Sequence, residues 1–287
     1  MNARLPPMVG RIDGHTELIA HLGFPTHSFK APLIYNPYFA AEGINAVVVP
    51  MACRPASLAG LLKSLFEMDN VRGALITMPH KVSVMGLLDD VSPTARVAGS
   101  CNAVRRDADG RLVGDMFDGE GFVRGLQRKG LTVRGSRALV VGSGGVGSAI
   151  AASLAGAGAA ELTLFDVQAA AADALAARLR SHHPALRVVT GERDPAGHQL
   201  VVNATPLGME PGDPLPVDVD RLQPETFVGE VVMRQRTTAF LAAAQARGCR
   251  VQVGSDMLFE QIPAYLEFFG FPTTTPDRLR DLAQLDG

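Results

Sequence analysis

Lys81 closes the stretch ITMPHK, residues 76–81, just past an X-Pro turn at the end of an apolar run. An amine so placed has two readings: a solvated surface charge, or a group set where a substrate will sit. A neutral amine accepts the proton of an alcohol, and its ammonium form returns that proton to a carbonyl. Other polar residues fall at similar places, the ends of strand-like runs. These are Ser28 and Lys30 in HSFKAP, Thr77 beside Lys81, Asn102 in GSCNAV and Asp118 in GDMFDG. Strand C-termini in open α/β sheets are where ligands bind. Each residue also has an ordinary role open to it. Ser28 suits a helix cap before Pro32, Thr77 a strand position, Asn102 a turn, and Asp118 the N-cap of the helix beginning GEGF.

Phosphate binding is a second chemistry legible in the chain. Gly142-Ser143-Gly144-Gly145-Val146-Gly147 fits G-x-G-x-x-G, with the strand-like RALVV before it and an alanine-rich helix after it. A further strand, ELTLFD, then ends on Asp166, which completes the context that a dinucleotide site requires. The first glycine permits the tight turn, the second lets backbone approach a pyrophosphate, and the third lets helix and strand pack closely. Free N–H groups at the helix start face the phosphates. A carboxylate at 166 accepts hydrogen bonds from an unmodified ribose and repels a 2′-phosphate, and no arginine follows until Arg178. The expected cofactor is therefore NAD rather than NADP. The alternative is a ligand-free turn in which Asp166 caps the next helix.

The elements that must position these groups alternate along the whole chain, the mark of an α/β fold. ELIAHLGF, NAVVVPMA and GALITMP read as strands, with APLIYNPYFAAEG and PASLAGLLKSLFEMD as helices between them. CNAVRRDADGRLVGDMF reads as a hairpin about Asp109-Gly110, and DGEGFVRGLQRKG as a connecting helix closed by Gly130. A fresh α/β unit starts at RALVVGSGGVG. It continues through the helix AAADALAARLRSHH, the strands HQLVVNATP and TFVGEVVM, the helix TAFLAAAQARG and the strand CRVQVG. DMLFEQIPAYLEFFG and PDRLRDLAQL are helical at the end. The expected boundary lies near residues 118–135.

Composition excludes several classes. A net charge of −2 gives no basic surface for nucleic acid, and 47% hydrophobic residues across 287 suffice for a proper core. Three scattered cysteines, Cys53, Cys101 and Cys249, argue against a disulfide framework or a zinc site, and the histidines show no metal-ligand spacing. The amino-terminal MNARLPPMVGRIDGHTEL has prolines and charges where a signal peptide needs an apolar core. The charge-free stretch between Arg137 and Glu161 is interrupted by glycines and reads as strand, turn and helix rather than a membrane span. A cytoplasmic protein, monomer or homodimer, with a small-molecule substrate is expected.

In order, HSFKAP, LITMPHK, GSCNA, GDMFDG, GSGGVG, VNATPLGM and GSDMLFEQ run the length of the chain. The series resembles the shikimate dehydrogenase family, whose pattern is H-S-x-S-P, N-V-T-x-P-x-K, G-A-V-N-T, G-x-N-T-D-G, the glycine loop, I-N-A-T-x-x-G-M and G-x-x-M-L-x-x-Q. The resemblance implies a substrate domain over residues 1–118, rejoined by helices from 257–287, and a Rossmann NAD-binding domain over 119–256, with the active site between them. It implies that Lys81 and Asp118 are the catalytic pair. It further implies that Ser28, Thr77, Asn102 and Gln261 hold the substrate's carboxylate and ring hydroxyls. Asn203, Ala204 and Thr205 match the loop under the cofactor, and Val231 and Gly254 match positions near the nicotinamide. Which of Lys81 and Asp118 moves the proton is left open. Cleft desolvation lowers a lysine pKa, and an ionised Asp118 nearby would oppose that, so its expected use is to orient the amine and the hydroxyl.

Departures from the pattern fall at substrate-side positions. Lys30 replaces the second serine of H-S-x-S-P, and its long cation can make a charge-assisted hydrogen bond to a carboxylate or point to solvent. Met116 and Phe117 replace Asn and Thr, Met233 replaces a tyrosine, and Asp256 replaces a glycine, while Cys101 and Ala103 alter small neighbours of Asn102. A site that loses donors discriminates against a ligand needing them. The expected activity is thus reversible hydride transfer on a small hydroxylated carboxylate, shikimate, quinate or a relative. The rival is a catalytically retired module that senses NAD(H).

Overall fold

Apolar runs of strand length alternate with stretches of helical period, and most become the elements their pattern predicts. The computed structural model describes residues 10–233 and 237–285. Of the amino-terminal stretch read for a targeting signal, residues 1–9 lie outside the described residues. In chain order come β1 (Glu17–Gly23), α1 (Pro32–Ala41), β2 (Ala46–Ala52), α2 (Leu58–Leu65), β3 (Val71–Ile76), β4 (Asp90–Val91), α3 (Pro93–Ala98), β5 (Ala103–Arg106) and β6 (Leu112–Asp115). There follow α4 (Asp118–Arg128), β7 (Arg137–Val141), α5 (Gly145–Gly156), β8 (Glu161–Phe165), α6 (Ala169–His182), β9 (Arg187–Thr190) and β10 (Leu200–Asn203). Last are β11 (Phe227–Glu230), α7 (Ala239–Ala246), β12 (Arg250–Gln252), α8 (Gly254–Phe269) and α9 (Pro276–Leu282). Two compact units result. One comprises the described residues of Met1–Ser92, Ser100–Asp115 and Ile262–Gly287, and the other those of Pro93–Gly99 and Met116–Gln261.

The first unit is built on a six-stranded sheet of order β2-β1-β3-β5-β6-β4. β1 pairs in parallel with β2 and β3, while β5 runs antiparallel to both β3 and β6. Alternation along β1 and β3 sends Ala20, Leu22, Ala74 and Ile76 into a core with Leu58, Leu62 and Leu65 of α2. On the opposite face Gly73 admits the Phe269 ring, which lies 2.3 Å from where a Cβ would stand. The β5–β6 turn carries Gly110 at φ 81°, the left-handed conformation that the Asp-Gly pair foreshadows.

The second unit has a wholly parallel sheet of order β12-β11-β10-β7-β8-β9, the doubly wound arrangement. Strands buried on both faces need unbroken apolar runs, and Ala138–Val141 and Leu200–Val202 supply them. Chain direction across the sheet reverses between β7 and β10. Loops leaving their carboxyl ends are therefore where a ligand is expected. The charge-free stretch from 138 to 160 is β7, the glycine turn and α5. No described helix is long and apolar enough to cross a membrane.

Three short elements, β4, α3 and β9, go beyond the sequence expectation. Neighbours hold each of them. α3 packs against α5 and α6, where Arg178 Nε donates to the Val97 carbonyl at 2.7 Å. Two capping alternatives are corrected. α1 has Ala31 at its N-cap rather than Ser28. α4 starts at Asp118 itself, with Phe117 in the cap position.

Candidate functional site

The glycine turn after β7 meets the steric demands of its motif. Gly142 has φ 104°, and a Cβ there would stand 2.7 Å from the Ala204 carbonyl oxygen. At Gly147 a Cβ would come within 2.0 Å of the Gly142 carbonyl oxygen, so strand and helix approach only because both side chains are missing. Gly144 and Gly145 differ. Both are exposed, and a Cβ on either would meet nothing within 4 Å. Packing does not demand glycine there, whereas an approaching phosphate would. First-turn N–H groups of α5 lack intrahelical acceptors and offer donors to an anion. The site fits a dinucleotide.

Asp166, just beyond β8, is half-buried. One carboxylate oxygen accepts from the Ser143 N–H at 2.7 Å and the other from the Gln168 N–H at 2.8 Å. It thus braces the glycine turn. Opposite, the loop after β10 is tied by Asn203. Its Oδ1 accepts from the Thr205 N–H and hydroxyl at 3.1 and 2.6 Å, and its Nδ2 donates to the Leu207 carbonyl at 2.9 Å. The Ala204 N–H donates to the Val141 carbonyl at 2.8 Å, which joins this loop to β7. A cavity of about 430 Å³ lies farther along the loop, lined by residues 207–216 with Ala239 and Phe240 and by none of the predicted site residues.

Glycines set other parts of the second unit at close range. Gly254 opens α8 against β11: a Cβ there would be 2.2 Å from the Val232 carbonyl oxygen and 2.7 Å from the Val231 carbonyl carbon. Gly121, one turn after the buried Asp118, lets α4 close on α8, with the Gln261 Cβ 2.6 Å from where its own Cβ would be. The Gln261 Oε1 is sealed from solvent with no partner among the described residues. Gly119 brings α4 equally close to α5, its Cβ position 2.0 Å from the Ala149 carbonyl oxygen.

In the first unit, backbone bonds assemble the loops that follow β1, β2 and β3. The Thr77 N–H donates to the Leu22 carbonyl at 2.9 Å, Phe24 N–H to Met78 at 3.0 Å, and Cys53 N–H to Gly23 at 2.9 Å. The fully buried His80 donates from Nε2 to the Cys53 carbonyl at 2.7 Å, since a carbonyl only accepts. Lys81 follows, half-buried, and its carbonyl accepts from Cys101 N–H at 2.8 Å, next to the buried Asn102. Ser28 and Lys30 are exposed in the turn before α1. Between them Phe29 inserts its ring, whose Cζ stands 2.7 Å from a notional Gly23 Cβ beside Thr77. Thr77, Lys81, Asn102 and the turn bearing Ser28 and Lys30 thus share one end of this sheet.

Two buried ionisable residues escape the sequence reading. His21, on β1, stacks on Phe29 with ring centroids 4.0 Å apart. Burial, then the charge of Lys81, lowers its pKa from 6.5 to about 4. Glu230 ends β11 with no solvent exposure and accepts from the Thr238 hydroxyl at 2.8 Å. Burial raises its pKa from 4.5 to about 7, partly offset by hydrogen bonds from Thr238 and Asn203. One signal was present for both, a titratable residue inside an apolar strand run. Among the departures, Met116 and Phe117 are buried between β6 and α4, and Met233 is half-buried. Asp256 forms an ion pair with Lys129 at 2.6 Å, which gives its carboxylate a structural account. Burial pushes the Cys101 thiol up to about 12, leaving an unreactive packing group.

Comparison with known proteins converges on one family. Residues 22–104 match the family described as the shikimate dehydrogenase substrate binding domain. The chain is 37% identical over 257 residues to a shikimate dehydrogenase (NADP(+)) of Rubrobacter xylanophilus, covering 88% of this chain and 90% of that one. Shikimate 5-dehydrogenase from Listeria monocytogenes, solved with shikimate and NAD, superposes with a TM-score of 0.89 at 28% identity over 96% of this chain and 98% of its own. Quinate dehydrogenase from Corynebacterium glutamicum, solved with NAD, gives 0.83 at 30% identity over 93% and 98%. With the glycine cradle and the lysine-bearing loop both in place, the chain belongs to the shikimate dehydrogenase family.

Proposed function

We propose that this chain interconverts a secondary alcohol and a ketone on a small hydroxylated carboxylate, with NAD as the hydride carrier. The coarser statement, a pyridine-nucleotide-dependent dehydrogenase acting on a CH–OH group, follows from family membership. The observation that carries the finer reading is Lys81, held half-buried at the carboxyl end of β3 beside Thr77 and Asn102. A nicotinamide dinucleotide, when bound at the glycine turn, would supply the acceptor for hydride. Lys81 takes the hydroxyl proton in oxidation and returns it in reduction, and Asp118 orients amine and hydroxyl. Ser28, Lys30, Thr77, Asn102 and Gln261 bind the substrate, and Asn203, Ala204, Thr205, Val231 and Gly254 border the cofactor. Asp166 favours NAD, because a 2′-phosphate would meet its charge. Shikimate and quinate are the first candidates, being the compounds named for the relatives.

The test is a screen of both acids with NAD and NADP, following NADH absorbance, on wild type and Lys81→Met. Expected are faster turnover with NAD and a loss of about 10²–10⁴-fold in the variant with NADH binding intact. Full activity in the variant would discard Lys81 as the acid–base group. The buried Met116 and Phe117, apolar where the family pattern is polar, favour a second reading, an NAD(H) sensor. A sensor would bind NADH and turn over neither acid.

A further inference from the structure

β1 alternates, so His21 and Gly23 share one face, opposite the face of Ala20 and Leu22 that enters the α2 core. Register with β3 sets His21 against Leu75, and Thr77 follows on that same face. The imidazole therefore lies beneath Phe29 and beside Thr77, at the end of the first unit's sheet from which the Lys81 loop leaves. His21 is only 8% exposed, and its Nδ1 is sealed from solvent without a donor or acceptor among the described residues.

Such a residue is anomalous in a strand otherwise filled by Ile19, Ala20 and Leu22. A buried, unpaired polar group is destabilising, and a phenylalanine or leucine would keep the contact with Phe29 at no such penalty. Polar atoms left unmatched in a well-packed native structure call for a partner, and local rules are broken most often at functional sites. Lys81 narrows the partner. Burial, and after it the charge of Lys81, keeps the ring neutral, so His21 offers one N–H and one bare nitrogen rather than a charge. A carboxylate is better matched by a lysine. A hydroxyl, which both donates and accepts, satisfies the imidazole in either tautomer.

We infer that His21 recognises a substrate hydroxyl adjacent to the carbon on which Lys81 acts. This rests on the proposed role of Lys81. It makes His21 a determinant of specificity that the sequence motifs do not contain.

A double cycle of enzyme and substrate tests it, using shikimate and the analogue lacking the hydroxyl next to the oxidised carbon. His21→Phe keeps the stack on Phe29 and removes the hydrogen bond. It should lower kcat/KM for shikimate about tenfold or more, mainly through KM, yet change the value for the deoxy analogue less than about threefold. His21→Gln should recover part of the loss. Equal losses on both compounds, or none on shikimate, overturn the assignment. If His21→Phe misfolds, ¹⁵N-histidine NMR of the wild-type protein decides. The His21 resonances should shift when shikimate is added and stay in place with the deoxy analogue; equal or absent shifts reject the idea. Failure of the functional reading looks different. Lys81→Met then keeps its activity, or wild type oxidises neither shikimate nor quinate, and His21 loses its assigned partner with it.

Discussion

In the proposed function Asp166 combines two tasks in one side chain. Its oxygens accept the Ser143 and Gln168 N–H groups, and each retains a lone pair for a ribose hydroxyl. Replacing it with asparagine keeps the shape and removes the charge that repels a 2′-phosphate. Asp166→Asn should therefore reduce the ratio of kcat/KM for NAD to that for NADP by about tenfold, or about 1.4 kcal/mol. An unchanged ratio would assign nucleotide choice to another residue. This aspartate was legible in the chain because its position after a strand follows from spacing along the sequence alone. His21 and Glu230 were not. Their chemistry depends on burial, which neighbours remote in sequence impose. Asp256 taught a related lesson: a substitution that reads as a change near the substrate has Lys129 for its partner.

Within the β7–α5 element, the two kinds of glycine make separable predictions. Gly144→Ala places a methyl where nothing lies within 4 Å, at an ordinary φ of −70°. Thermal stability should be unchanged, while NADH affinity falls about tenfold because the methyl stands where phosphate must come. Gly147→Ala forces a Cβ to within 2.0 Å of the Gly142 carbonyl oxygen. That overpacking should cost about 1–3 kcal/mol or more of stability, with a lowered Tm before any ligand is added. Equal Tm values for the two variants, by calorimetry, would contradict the division. Long elements announced themselves through periodicity. β4 and β9 are strands through their pairing with β6 and β8, partners remote enough that the local pattern did not mark them.

For the molecule as a whole, two buried groups set opposing slopes of stability against pH. The Glu230 pKa is raised from 4.5 to about 7, so the folded state holds the proton more tightly. Its contribution is complete below pH 4.5 and is lost as pH rises through about 7. The His21 pKa is depressed from 6.5 to about 4, so the unfolded state holds that proton more tightly. Its contribution is complete above pH 6.5 and is lost as pH falls through about 4. Each displacement amounts to about 3 kcal/mol at most. Between about pH 4.5 and 6.5 the slopes oppose, and wild type should be nearly flat. Across that window Glu230→Gln should gain stability with rising pH and His21→Phe should lose it. Urea midpoints would read both, and parallel profiles for all three proteins would refute the balance.

Sequence alone determined the alternation of strand and helix, the dinucleotide turn with its acidic partner, and the order of motifs that marks the family. Each of those is local, set by side-chain volume, backbone freedom and spacing within a few turns of chain. Tertiary structure decided which faces are sealed from water. It stacked His21 on Phe29 near Lys81, enclosed Glu230 with Thr238, and turned Asp256 toward Lys129. Desolvation and charge act through space, and no pattern along the chain carries the distances that govern them.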